Sequence, residues 1–181
     1  MTPRLIKILK EVLSEVGDLS KVEPYQFDDS SPLDYRFDLE DGTQVRVNFA
    51  PLSTVSRYGT FTALSKLYTD TQRDRRREYN VSFTVGGSQH QYQKSDLKSF
   101  NKLLKTVVEC IKSFMQKNDP TALWIFGVDK KGKLAGDRQK NILYQALTKN
   151  NMPDGFRGSE ATLSAPSAGY SGDVQGWVIF K

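Results

Sequence analysis

Few residues in this 181-residue chain have the chemistry of a nucleophile, a base or a metal ligand. There is one histidine, His90, and one cysteine, Cys110, so a Cys/His cluster of zinc-site spacing cannot be assembled. A Ser-His-Asp or Cys-His arrangement would have to use His90, in the polar segment Ser88-Gln89-His90-Gln91-Tyr92. Cys110 falls on an apolar stripe with Leu103, Val107 and Phe114, so burial and an inert thiol are expected, in a reducing compartment. Asp34, Asp38 and Glu40 alternate outward and read as a solvated strand face rather than an acid/base pair. Neither GxGxxG nor a GxxxxGK loop followed by Ser or Thr occurs, which argues against dinucleotide and P-loop chemistry.

Clustered positive charge is the remaining signal. Lys and Arg total 26 against 21 Asp and Glu, a net charge of +5. Arg73, Arg75, Arg76 and Arg77 crowd into five residues, and guanidinium forks of this kind grip phosphate or carboxylate bidentately. Lys130, Lys131 and Lys133 form a second basic loop. Together with Lys94, Lys98, Arg138 and Lys140, and with Tyr79 and Tyr92 between them, they would make one electropositive face for nucleic acid. No RNP, KH or helix-turn-helix signature accompanies it, and the plainer reading is a set of solvated loops.

These residues need elements to hold them. The chain reads as one α/β (α+β) domain, with a hydrophobic content of 38% and a charged content of 26% typical of a soluble protein. No apolar run reaches the roughly 20 residues of a bilayer span, and the first residues, with lysines inside their apolar stripe, do not read as a signal peptide. An amphipathic helix is predicted over 3–16, and a hairpin over 33–49. The hairpin's alternation fits a three-residue loop, Glu40-Asp41-Gly42, which pairs Phe37 with Val45 and Tyr35 with Val47 and demands a positive φ at Gly42. Leu64, Leu67 and Tyr68 are spaced for a short helix. Residues 78–128 read as β-α-β: Tyr79 to Val85 alternate, Leu97 to Met115 form a helical stripe, and Ala122 to Val128 are an apolar run suited to an interior parallel strand. A helix over 137–149, a Gly/Ser/Ala-rich loop from Ser159 to Gly176 and a strand over 175–181 complete the chain.

The order strand, strand, strand, long helix, buried strand, helix, strand resembles the GNAT acetyltransferase superfamily, above all the divergent GNAT-like proteins of tailed bacteriophages. The residues that carry it are Tyr79–Val85, the helix segment Phe100-Asn-Lys-Leu-Leu-Lys-Thr-Val-Val, Leu123-Trp-Ile-Phe, and Arg138 through Leu143-Tyr144. The resemblance implies a mixed sheet with helices on both faces, acetyl-CoA as cofactor if the protein is an enzyme, and Tyr144 as the acid that protonates the departing thiolate. It also implies a pyrophosphate cradle at Gln91, Lys94, Ser95, Asp96 and Leu97. Nothing in the residues identifies an acceptor or a general base, for which Glu78 or a bound water could be proposed. The cradle departs from the family's loop: Gln91 matches its first position, both glycine positions are filled by other residues, and Asp96 would repel a diphosphate. The Gly-Phe pair expected close after the tyrosine comes only at Gly155-Phe156. With the cradle broken, the expectation is a non-catalytic binding or virion-associated protein of bacteriophage type, with a protein partner in a larger assembly, no cofactor, no metal and no membrane. It would lie in the host cytoplasm or the virion. The alternatives are an acyl-CoA-dependent N-acyltransferase and a nucleic-acid-binding protein.

Overall fold

Alternating side chains build the first two strands, β1 (Asp34–Asp38) and β2 (Gln44–Pro51), in the computed structural model of the chain. The structure describes residues 19–52, 62–65, 67–68, 74–86, 97–126, 151–164 and 173–181. The hairpin has the expected register, with Tyr35 opposite Val47 and Phe37 opposite Val45. Gly42 N–H donates to the Leu39 carbonyl at 3.0 Å, and Leu39 N–H to Thr43 at 2.9 Å, closing the three-residue turn. Gly42 takes a φ of +79°, and a Cβ there would meet nothing within 4 Å, so the demand for glycine comes from the backbone alone.

The central unit is β4 (Glu78–Val85), α1 (Leu97–Asn118) and β5 (Ala122–Phe126). β4 and β5 are parallel neighbours, registered from Glu78↔Ala122 to Val81↔Ile125. The apolar stripe of α1 buries Leu103, Leu104, Val107, Val108, Ile111, Phe114 and Met115 against the odd-numbered side chains of β1, β2 and β5. The rings of Phe49 and Phe114 stack with centroids 3.9 Å apart, and Tyr79 meets Phe114 edge-on at 5.0 Å. Each such side chain taken from water contributes about 1.5–3 kcal/mol. Thr106, buried inside α1, donates to the Lys102 carbonyl at 2.8 Å and accepts from Tyr25 N–H at 2.9 Å, tying the segment before the hairpin to the helix. The helix stops where Asp119 turns left-handed (φ +45°), ahead of Pro120.

Three further strands complete a seven-stranded mixed sheet: β3 (Thr62–Ser65), β6 (Arg157–Ser164) and β7 (Asp173–Phe180). The order is β1-β2-β4-β5-β7-β6-β3, antiparallel everywhere except between β4 and β5. β5 is covered on both faces, as an apolar run predicts. Leu123 and Ile125 face α1, while Ala122 and Trp124 join a second cluster with Leu52, Tyr68, Ala161, Val178 and Phe180.

Two expectations fail. Leu64 lies in β3, which pairs with β6 through Leu64↔Thr162, so no helix runs from Leu64 to Tyr68. The segment from Ser159 is strand β6 rather than loop, paired with β7 from Arg157↔Phe180 to Ser164↔Asp173, and the last strand accordingly starts at Asp173. Just before that stretch, within β6, one glycine has a packing reason. A Cβ on Gly158 would lie 2.6 Å from Nε1 of Trp177, whose indole covers the glycine. The helices predicted over 3–16 and 137–149 lie outside the described residues. The described chain is thus a mixed α/β fold with one described helix, α1, on one face of the sheet.

Candidate functional site

A β-α-β unit has two ends of different character, and the sequence-predicted residues divide between them. Thr121 N–H donates to the Arg77 carbonyl at 2.9 Å, so the carboxyl end of α1 meets the amino end of β4. The first turn of α1, with Leu97 and the exposed Lys98, stands at the opposite end, beside the carboxyl ends of β4 and β5. Ligands of open parallel sheets bind at that carboxyl end. Of the residues expected there, Leu97 is the first residue of α1, whereas Gln91, Lys94, Ser95, Asp96, Lys130, Lys131, Lys133 and Tyr144 lie outside the described residues.

The arginine run sits at the other end. Arg75, Arg76 and Arg77 form a single 3-10 turn leading into β4, capped by Asp74, whose carboxylate accepts from Arg76 N–H at 3.1 Å; Arg73 is outside the described residues. The Arg77 guanidinium donates to both the carbonyl and the carboxylate of Asp119, and the ammonium of Lys181 pairs with the same carboxylate. These bonds, that of Lys181 first, hold the Asp119 carboxyl below its ordinary value of 3.8. Arg77 therefore fastens the start of β4 to the end of α1, and the Lys181 pair adds the end of β7. Arg75–Arg77 and Lys98 stand at opposite ends of the β-α-β unit, and the Tyr79 ring is packed on Phe114.

Next along β4, Glu78 has no exposed surface. Its Oε2 accepts from Trp124 Nε1 at 3.0 Å, and its Oε1 from the Tyr68 hydroxyl at 3.3 Å. The walls around it are aromatic: Tyr68 meets Trp124 at 5.9 Å and Phe180 at 5.0 Å between ring centroids. A carboxylate in such surroundings costs several kcal/mol unless donors satisfy it. Tyr68 and Trp124 each donate to one of its oxygens. The sequence pointed to Glu78 but not to these partners, which are ten and 46 residues away.

Cys110 is fully buried, and burial, then the charges of Asp29 and Glu109, push its thiol up to about 12, so it is not a nucleophile at neutral pH. Among the described residues, no group of three or more His, Cys, Asp and Glu side chains is placed to hold a metal ion, and no helix is long and apolar enough to cross a membrane.

No family model matches the chain, and neither a curated protein nor a solved structure matches it.

Proposed function

We propose that this chain is a non-catalytic binding protein on a GNAT-like core, of the virion-associated type encoded by tailed bacteriophages, and that it works in a larger assembly. The observation that carries the reading is the enclosure of Glu78. The one carboxylate of β4, Glu78, lies at the amino end of the strand, away from the start of α1, and is held by Tyr68 and Trp124 with none of its surface in solvent, so β4 presents no accessible base. The substituted cradle, with Asp96 in place of a phosphate-admitting residue, supports the same reading. So does the engagement of Arg77 by Asp119, which leaves that arginine fastening the fold. Density-gradient purification of phage particles tests it. The protein is expected to band with washed particles, and its recovery only among unassembled proteins would overturn the assembly role.

A second reading, an acyl-CoA-dependent N-acyltransferase with Tyr144 as general acid, draws on the central unit. Among the described residues, β4 and β5 are registered from Glu78↔Ala122 to Val81↔Ile125, and β4 itself runs to Val85. The resemblance puts an acyl-pantetheine arm between these strands. Apart from the added β3 and β6, the described elements follow the order that the resemblance implies.

A further inference from the structure

An open groove of about 690 Å³ runs between residues 20–27 and the outer side of α1. One wall is a helical row, Lys105, Glu109 and Lys112. Both ammonium groups reach the same oxygen, Glu109 Oε1, at 2.9 and 3.1 Å, so two cations share one carboxylate. They are not freely solvated: the Lys105 side chain is 13% exposed and that of Lys112 26%. Lys21 and Glu23 stand exposed on the facing wall, and the half-buried ring of Phe27 contributes an apolar surface. The groove therefore carries three ammonium groups against two carboxylates.

The excess is larger along the helix. Lys98, Lys102, Lys105, Lys112 and Lys117 are opposed within α1 by Glu109 alone. Outside the helix Lys102 meets Glu40 at 3.4 Å and Lys117 meets Asp29 at 2.7 Å, whereas Lys105 and Lys112, on the groove, have Glu109 to share.

We propose that this groove docks an extended acidic segment of a partner protein. Carboxylates of the segment meet Lys21, Lys105 and Lys112, and an apolar side chain lies against Phe27. The inference rests on the non-catalytic binding reading above and names its contact surface. A nucleic-acid strand fits the groove less well. Glu23 and Glu109 would face its phosphates.

Fluorescence anisotropy with the full chain tests the proposal, using three labelled probes: a peptide of alternating Asp and Leu, one of alternating Lys and Leu, and oligothymidylate. The Asp-Leu peptide should bind, and its affinity should fall with salt. Lys21→Glu should weaken it about tenfold and Glu23→Lys should tighten it by a similar factor. Both positions are exposed, so circular dichroism should report an unchanged fold. Equal binding of the Lys-Leu peptide, binding of oligothymidylate in place of the Asp-Leu peptide, or indifference to both substitutions overturns the proposal. Acetyl-CoA titration of the wild type separates the two levels. Without acetyl-CoA binding, a failed peptide assay removes the groove and leaves the non-catalytic reading standing; acetyl-CoA binding removes that reading whatever the peptide does.

Discussion

Trp124 Nε1 donates to Glu78 Oε2 at 3.0 Å, and neither side chain has exposed surface. The bond crosses the one parallel pair of the sheet. The register Glu78↔Ala122 and Asn80↔Trp124 sets the two residues diagonally on the same face, within reach of a long aromatic side chain. Trp124→Phe keeps a ring in the cluster but removes the donor. It should destabilise the fold by about 1–3 kcal/mol through the under-satisfied carboxylate, read as a lower urea midpoint. Adding Glu78→Gln should recover part of that loss, because a neutral amide is less costly to leave short of a donor. An unmoved midpoint for Trp124→Phe would contradict the satisfied-carboxylate account.

Asp119 links the amino end of β4 to the end of the chain through Arg77 and Lys181, and its carboxyl is held below 3.8. A lowered carboxyl stabilises the native state above the unfolded value, and the contribution is lost as pH falls through the folded value. Asp119→Asn, which tolerates the left-handed backbone, should lower the thermal midpoint near neutrality, and the difference from wild type should vanish in acid. Asp28, Asp29 and Asp41 are lowered too and shape the remaining acid limb, so the difference curve is what must be compared. A difference that persists below the folded value would assign the effect to packing instead of charge.

Gly158 and Gly42 are required for different reasons, and substitution separates them. Gly158→Ala forces a methyl against the Trp177 indole, at 2.6 Å in the unrelaxed geometry, and should cost about 1–3 kcal/mol. In a Trp177→Leu background that cost should shrink, giving a coupling energy in a double-mutant cycle. Gly42→Ala meets open space and should cost about 1–2 kcal/mol for its positive φ alone, whatever stands at position 177. Additive effects of Gly158→Ala and Trp177→Leu would show that the two residues are not in contact.

What could be read in advance followed from local periodicity. The hairpin register was legible because alternation on both strands leaves one loop length that keeps Tyr35, Phe37, Val45 and Val47 on one face. The limits of α1 were legible because its stripe ends at Asn118-Asp119-Pro120. β3 and β6 were not. Leu64, Leu67 and Tyr68 match helical spacing over a window too short to decide. β6 looks like loop in the sequence because it is rich in small residues, and for Gly158 the cause is the indole of Trp177, 19 positions further on. The Glu78 cluster escaped for the same reason. Nothing local to Glu78 indicates its partners, and only the sheet register brings Trp124 to it. Tyr68 reaches it from a segment expected to be helical.

The non-catalytic claim also predicts that the sequence of residues 91–96 does not hold a diphosphate, and isothermal titration of the full chain with acetyl-CoA tests it most directly. The account predicts no binding heat at millimolar acetyl-CoA, for the wild type and for Ser95→Asp alike. Micromolar binding by the wild type that Ser95→Asp abolishes would contradict it, and would make the chain an acyl-CoA protein with its cradle at the start of α1.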